Sequence, residues 1–294
     1  MAYTTINKGE SHFNAALTTG TGNSQAVTGV GFQPDWIWGK RRDSTGKPSL
    51  FDSVRGVTKG LESSETGAEF TSTDYYSSFD TDGFTIGAGA GGAGNGSSQT
   101  AVQWCWKAGG SASSNTDGQL TSSVSVNQDA GFSVLTYTGV GDGTSGTART
   151  VGHGLGVTPA VLIIKNRADS TNWNVYHHKN TSAPETEIIY LNLTNATADD
   201  NGFWNDTAPT SSVFTVGGDN GVNGNGDSMV CYAFAEKKGY SKFGSYTGNG
   251  SADGTFVYTG FKPALVICKK ADSDTNDWFL MDNKRNGFNG QNYN

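Results

Sequence analysis

The strongest constraint on this chain is a segment that occurs three times, as a turn with Gly and Pro followed by an apolar run and a lysine. The copies are residues 29–40 (GVGFQPDWIWGK), 154–165 (GLGVTPAVLIIK) and 258–269 (YTGFKPALVICK). The apolar runs are rich in β-branched and aromatic residues, which is typical of a strand buried within a sheet. Gly and Pro preset the turn before each strand. The segment therefore predicts one β-unit that is repeated along the chain.

The flanking sequence recurs as well, so the repeated unit is longer than this segment. An alternating stretch that ends in Gly-x-Gly precedes each copy and predicts a strand with a turn. Two downstream stretches recur in the first two units only. The matching upstream stretches are residues 13–22, 132–141 and 243–250. Downstream, residues 78–87 match residues 209–217, and residues 102–107 match residues 230–235. In the last pair Trp104 matches Tyr232 and Trp106 matches Phe234, which predicts a closing strand with two aromatic rings on one face.

These matches divide the chain into units. We predict a β-sandwich unit 1 at residues 1–109, a Ser/Gly linker at 110–130, a β-sandwich unit 2 at 131–240 and the first half of a unit 3 at 241–294. The linker prediction rests on a Ser/Gly composition with few large apolar groups. A half sandwich would leave open sheet edges. We therefore expect either that the chain continues beyond Asn294 or that another chain completes the sheet.

Composition supports the same fold class. The 42 glycines favour turns, and only 16% of the residues are charged. The chain also contains 15 Phe, 11 Tyr and 7 Trp, which is more large apolar surface than a disordered chain carries. The expected fold is all-β, built from tandem antiparallel β-sandwich repeats of a jelly-roll or lectin-like kind.

Charge and cysteine usage exclude several partners and cofactors. The net charge of −7 and the absence of a strong basic patch argue against nucleic-acid binding, which requires clustered Lys and Arg. The three cysteines are widely spaced and form no Cys-x-x-Cys pair. The sequence contains no apolar run of about 18 residues that would insert into a membrane. We predict no metal and no cofactor.

Catalytic residues are not evident, so we predict that the protein is not an enzyme. Glu62, Glu65 and Glu69 lie in one polar connecting segment, and their spacing does not place two carboxylates across a cleft. His153 stands between two glycines, where a turn-stabilising hydrogen bond is the favoured interpretation. The aspartates of residues 80–83 lie close together in the sequence, as the oxygen ligands of a calcium loop do. Asx turns at a hairpin corner are the favoured interpretation of this cluster.

Aromatic residues in polar surroundings are the remaining candidates for ligand binding. A flat ring can stack on the C–H face of a sugar. The candidates for such glycan stacking are Trp204, Tyr75 and Tyr76. Trp173 recurs in unit 3 as Trp278, and a position in the sandwich core is the favoured interpretation for it.

Seven longer strings carry a resemblance to a known family. They are residues 1–6 (MAYTTI), 51–56 (FDSVRG), 78–84 (SFDTDGF), 104–110 (WCWKAGG), 151–156 (VGHGLG), 204–214 (WNDTAPTSSVF) and 239–248 (GYSKFGSYTG). Together they resemble the repeat-containing virion structural proteins of marine tailed bacteriophages, which are often labelled tail fibre or structural protein. The resemblance covers nearly the whole chain. It departs from the family pattern in unit 3, where related chains run on to a closing aromatic strand.

The resemblance implies a non-enzymatic virion protein that is made in the host cytoplasm. Such a protein would be displayed on the particle surface as a fibre, a tail appendage or a head (capsid) decoration, and would mediate assembly and host attachment. Its expected partners are copies of itself and other virion proteins. The resemblance brings no catalytic residues and no established ligand site. The alternative hypothesis is a carbohydrate-binding module that recognises host surface glycans.

Overall fold

The computed structural model describes residues 4–89, 94–143 and 147–285. Within them the protein is all-β with antiparallel sheets, which confirms the all-β part of the predicted fold. The strands are β1 (Phe13–Thr19), β2 (Gln25–Thr28), β3 (Trp36–Arg41), β4 (Ser49–Asp52), β5 (Lys59–Glu62), β6 (Phe70–Thr71), β7 (Tyr76–Asp80), β8 (Gly83–Ile86), β9 (Thr100–Trp106), β10 (Ser113–Asn115), β11 (Ser122–Asn127), β12 (Phe132–Thr138), β13 (Arg149–Gly152), β14 (Val161–Asn166), β15 (Asn174–His177), β16 (Glu187–Tyr190), β17 (Ala198–Asp199), β18 (Val213–Val216), β19 (Ser228–Phe234), β20 (Leu265–Cys268) and β21 (Phe279–Asp282).

Helical structure is confined to short segments. The α-helices are α1 (Asn201–Trp204) and α2 (Asn220–Asn223), and 3-10 turns occur at Gly9–Ser11 and Pro184–Thr186. Asp200 and Asp219 cap the two α-helices, because each side chain accepts a hydrogen bond from the backbone N–H two residues on. In the described ranges no helix has the length and apolar character to cross a membrane.

Unit 1 consists of two facing sheets. A six-stranded sheet in the order β1-β9-β3-β4-β5-β6 lies against a three-stranded sheet in the order β2-β8-β7. The first copy of the repeated segment supplies β3, which pairs with β9 on one side and β4 on the other. Side chains alternate across a strand, so Ile37 and Phe51 point toward the small sheet and pack with Phe84 and Ile86. This buried layer makes unit 1 sandwich-like.

Unit 2 repeats this arrangement with a longer main sheet. Its eight strands follow the order β10-β11-β12-β19-β14-β15-β16-β17, and the pair β13-β18 covers one face. The second copy of the repeated segment supplies β14, which lies between β19 and β15. Leu162 and Ile164 point into the sandwich, where they pack with Phe214, Val216 and residues of the two short helices.

The predicted linker at residues 110–130 is corrected by the structure. It contains β10 and β11, and β11 pairs with β12 over its full length. The small Ser side chains that suggested a linker make hydrogen bonds to neighbouring segments: Ser122 donates to the carbonyl of Gly152 in β13, and Ser125 accepts from the N–H of Gly109. Val124 supplies the buried apolar side chain on this strand.

A third core joins the units to one another. The faces of the two main sheets that point away from their own sandwiches carry large rings, and these rings pack together. Trp36 of unit 1 stacks on Tyr232 of unit 2, with ring centroids 4.3 Å apart, and Phe132 lies 5.7 Å from the same indole. Leu265 and Leu280 of the β20-β21 hairpin pack against this core as well. Each buried ring stabilises the contact by about 1.5–3 kcal/mol, so the junction between units contributes strongly to stability.

Candidate functional site

The most elaborate polar arrangement lies where β4 of unit 1 meets β19 of unit 2. β4 ends at Asp52, and the chain turns so that the Arg55 side chain folds back onto it. Arg55 Nε donates to Asp52 Oδ2 at 2.5 Å, and both side chains are fully buried. The hydroxyl of Tyr232 donates to Asp52 at 2.8 Å and accepts from Arg55 at 3.1 Å. Tyr232 therefore links the two units through a buried ion pair.

A second carboxylate extends this network. Glu69 accepts from Arg55 at 3.0 Å. It also accepts two hydrogen bonds from Arg167 of unit 2, at 2.8 and 2.9 Å. Such bidentate pairs have a fixed geometry as well as a favourable energy. Burial favours the neutral acid, yet the hydrogen bonds and charges of Arg167 and Arg55 hold the pKa of Glu69 below its usual range.

The same motif recurs where unit 3 meets unit 1. Arg285 Nε donates to Asp282 at 2.5 Å, as Arg55 does to Asp52. The indole N–H of Trp104 donates to Asp282 at 3.0 Å, and the guanidinium of Arg285 lies over the Trp104 ring at 5.0 Å. Trp104 and Tyr232 occupy matching places in the closing strands, opposite Trp38 in β3 and Ile163 in β14 respectively. The junction is therefore built twice from equivalent parts.

Two tryptophans form a second kind of repeated contact. Trp173 of unit 2 donates to the carbonyl of Glu62 in unit 1 at 2.9 Å. Trp278 of unit 3 donates to the carbonyl of Tyr190 in unit 2, also at 2.9 Å. Trp173 is fully buried, as its recurrence predicted.

Backbone contacts repeat in the same sense. The N–H of Glu69 donates to the carbonyl of Arg167, and the N–H of Thr197 donates to that of Ala271, both at 2.9 Å. The backbone contact between units 1 and 2 is thus repeated between units 2 and 3. The aromatic donors Tyr232 and Trp104 connect unit 2 to unit 1 and unit 1 to unit 3, respectively. The contacts follow one cyclic order around the shared core.

The three glycan-stacking candidates are placed differently from one another. Trp204 is 1% exposed at the end of α1 and donates to the carbonyl of Glu187 at 2.8 Å. Tyr76 is fully buried, and its hydroxyl donates to Gln103. Stacking on a sugar needs an exposed ring face, which these two rings lack in this structure. Tyr75 is half-buried beside Phe51, with ring centroids 5.2 Å apart.

His153 and Asp82, which the sequence assigned to turns, make hydrogen bonds to backbone groups in turns. His153 is buried; its Nδ1 accepts from the N–H of Leu155 at 3.2 Å, and burial lowers its pKa. Asp82 accepts from the N–H groups of Gly29 and Gly31 at 3.0 and 2.7 Å, which fixes the turn at the start of the first copy of the repeated segment. Across the described ranges no three His, Cys, Asp or Glu side chains are grouped closely enough to hold a metal.

An open groove of about 680 Å³ lies between unit 1 and the end of β11 and has Asp35, His12 and Lys107 in its lining. Burial raises the pKa of Asp35. Its carboxylate accepts from the hydroxyl of Ser53 at 2.9 Å and from the N–H of Ala108 at 2.7 Å. These bonds come from its own unit, so the carboxylate anchors the end of β9.

The junction residues were missed in the sequence, although a signal was present. Asp-x-x-Arg occurs at residues 52–55 and again at 282–285, at the same place after the second strand of units 1 and 3. In unit 2 the register equivalent of Asp52 is His177, because Asp52 pairs with Trp36 and His177 pairs with Val161. A comparison of the strand ends across the units would have found the motif.

Fold and junctions together define a class of protein: an all-β, sandwich-like chain whose antiparallel sheets are joined by buried aromatic and ionic contacts. Residues 8–294 match the family described as Domain of unknown function (DUF7483), and the chain belongs to this family. No curated protein matches the chain. No solved structure matches it either.

Proposed function

We propose that this protein is a non-enzymatic structural component of a tailed-phage virion, displayed on the particle surface as a fibre, tail appendage or head decoration. Its sandwich units would be related repeats of the jelly-roll or lectin-like kind. One observation carries the proposal: the Asp-Arg pair with its aromatic donor is built twice, and both times it joins one unit to another. A chain that devotes its most elaborate polar contacts to such junctions suits assembly and attachment.

Burial stabilises the junction between units 1 and 2, as a part of a surface appendage requires. Asp52 and Arg55 are fully buried, and Trp36 and Tyr232 stack beside them. Opening the junction would expose the rings, remove Tyr232 from the buried Asp52–Arg55 pair and separate Glu69 from Arg167, which costs several kcal/mol. A surface appendage must keep its shape outside the cell, and this arrangement provides that rigidity.

Immuno-electron microscopy of purified particles tests the proposal. A labelled antibody against the recombinant chain is expected to bind at one place on the virion, on the tail or the head. Particles pretreated with unlabelled antibody serve as the control. Absence of the protein from purified virions, by labelling and by mass spectrometry, would contradict the proposal.

A second candidate function is recognition of host surface glycans, and Tyr75 is the observation that favours it. Its half-buried ring packs against Phe70 at 5.3 Å as well as against Phe51, so the ring is held in a fixed orientation. Glycan-array binding by the wild-type chain, with a loss of about tenfold or more in Tyr75→Ala, would support this function. The Trp204→Phe variant serves as a control for an aromatic residue without an exposed face. Equal binding by wild type and Tyr75→Ala would exclude stacking on this ring.

A further inference from the structure

The repeated segment ends in a lysine in all three units. Each lysine stands six residues after the proline of its copy: Lys40, Lys165 and Lys269. The ammonium group of Lys165 donates to the carbonyls of Asn166 and Asp169 at 2.7 and 3.0 Å, and to the hydroxyl of Thr171 at 3.3 Å. An ammonium group has three donors and no acceptor. These three uncharged partners therefore satisfy it completely.

The ammonium groups of the other two lysines are bonded in the same way. Lys40 donates to three carbonyls at and after the end of β3, those of Arg41, Ser44 and Gly46. Lys269 donates to the carbonyl of Asn276 in its own unit and to that of Thr194 in unit 2. Carbonyl oxygens arranged around one cation are also what a metal-binding loop uses. In each unit of this chain the cation is a side chain of the chain itself.

Lys165 has the most buried side chain of the three, and packing alone does not explain its charge. It lies on the same face of β14 as Val161 and Ile163, which pack in the core between the units. Burial lowers the pKa of Lys165 to about 8, so the group still carries its charge at pH 7. A buried charge is unfavourable unless it is hydrogen-bonded. An apolar side chain would pack here without that cost, so the loop that the ammonium group holds explains the lysine.

The loop held by Lys165 carries contacts of unit 2 with unit 1. It runs from Arg167 to Trp173. Arg167 donates twice to the carboxylate of Glu69, and its carbonyl accepts from the N–H of Glu69 at 2.9 Å. The indole of Trp173 donates to the carbonyl of Glu62 at 2.9 Å. Two partners of the ammonium group lie between these two ends of the loop, so this group fixes the spacing of both contacts.

We propose that the lysine at the end of the repeated segment is a built-in cation that shapes the following loop, and that in unit 2 it positions this loop for docking on unit 1. The surrounding oxygens form a site for one primary ammonium group. With the side chain of Lys165 truncated, the same site should bind a free alkylammonium ion of matching length. This device belongs to the chain itself and does not depend on the proposed role in a virion.

Hydrogen exchange of Lys165→Met in the full chain tests the positioning role. Methionine keeps an unbranched stem but has no donor. The amide of Glu69 lies in unit 1 and bonds to the loop, and it should exchange at least about tenfold faster than in the wild type. The amide of Ser72 bonds within unit 1, to the carbonyl of Thr58, and serves as the internal control. Lys179→Met makes the same change at an exposed lysine of unit 2 and should leave both amides unchanged.

Chemical rescue distinguishes a cation from packing. Lys165→Ala removes the three methylene groups beyond Cβ together with the ammonium group, and n-propylammonium has the same atoms. This ion is expected to slow the exchange of Glu69 in Lys165→Ala toward the wild-type rate. Tetramethylammonium has the charge without a donor, and 1-propanol has the length without the charge, so neither should do so. None of the three compounds should change the exchange of Glu69 in the wild type.

The two variants together decide the proposal. Equal exchange of Glu69 in the wild type and in Lys165→Met would overturn it. Equal rescue by 1-propanol and n-propylammonium, or no rescue in a folded Lys165→Ala chain, would overturn it as well. If Lys165→Ala does not fold, the Lys165→Met measurement decides alone.

Discussion

The junction between units 2 and 1 and the junction between units 1 and 3 use the same Asp-Arg pair, with a buried aspartate in both, but bury the arginine to different depths. Arg55 is fully buried and bonded to Asp52, Glu69 and Tyr232. The side chain of Arg285 is 25% exposed and lies over one ring, that of Trp104. The local bonds are alike, since both guanidinium groups also reach the carbonyl two residues before their aspartate. The surrounding units, more than the motif, therefore determine how much each pair contributes to stability.

Substitution of each arginine in turn should distinguish the two junctions most clearly by the loss in the free energy of unfolding. Arg55→Leu leaves the Asp52 carboxylate buried without a cation, and we expect a loss of about 3–5 kcal/mol in the free energy of unfolding. Arg285→Leu should cost less, about 1–2 kcal/mol, because the guanidinium is partly solvated although the Asp282 side chain is buried. Urea denaturation of the full chain measures both. Lys47→Met removes an exposed pair with Glu62 and serves as a control near zero. Equal losses at the two arginines would contradict the comparison.

Loss of one hydroxyl should have the next largest effect. Tyr232→Phe keeps the ring but removes a donor to Asp52 and an acceptor for Arg55, and we expect a loss of about 1–3 kcal/mol. Tyr137→Phe is the matched control, because that buried hydroxyl bonds within unit 2, to the carbonyl of Val222. In a chain that already carries Arg55→Leu, Tyr232→Phe should lower the free energy of unfolding by less than it does in the wild type. The loss caused by Tyr137→Phe should be the same in both backgrounds. Full additivity for Tyr232→Phe would show that the hydroxyl does not act through this pair.

Glu69 tests the outer part of the network. Glu69→Gln removes the charge that both Arg55 and Arg167 contact, and the expected loss is about 1–2 kcal/mol. Glu65→Gln is the control, since that side chain is 42% exposed and pairs with the exposed Lys47. Chemical denaturation at low and high salt should show little salt dependence for the Glu69 effect, because buried pairs are weakly screened. If the loss disappears in high salt, Glu69 behaves as an exposed surface charge, which would contradict this prediction.

His177 stands where the other units have aspartate, and this difference should make unit 2 sensitive to pH. Burial and the neighbouring His178 lower the pKa of His177 from 6.5 to about 4. Between these values the unfolded chain binds a proton that the folded chain does not, so stability rises with pH across this window. His177→Gln should reduce that slope by up to about 1.4 kcal/mol per pH unit. Thermal melts of the wild type and the variant from pH 4.5 to 6.5 measure this slope. An unchanged slope in the variant would show that His177 is not the group responsible.

The sequence allowed the all-β class and the closing strands to be predicted, because period-two alternation and recurrence are local signals. β9 and β19 form where residues 102–107 and 230–235 predicted them. The predicted linker was wrong, since composition does not reveal that Ser122 and Ser125 lie in a paired strand and that their side chains bond to neighbouring segments. Small polar residues occur both in flexible chains and in tightly packed sheets.

The junctions themselves depend on contacts that no local pattern reveals. Arg55 and Tyr232 are 177 residues apart in the chain. The Asp-x-x-Arg recurrence points to a shared role, but it does not identify the partner. For the same reason Trp204 and Tyr76, which lie among polar residues in the sequence, are covered by distant segments in the fold.

Native-state hydrogen exchange of the Arg55→Leu variant tests most directly the claim that the junction joins units 1 and 2 into one cooperative body. The free energies of exchange would be measured for the amides of β9 in unit 1 and of β19 in unit 2, in the full chain. We predict that both strands lose protection by similar amounts, although the substitution lies in unit 1. A loss confined to β9, with wild-type protection in β19, would show that the units unfold independently and would contradict this account.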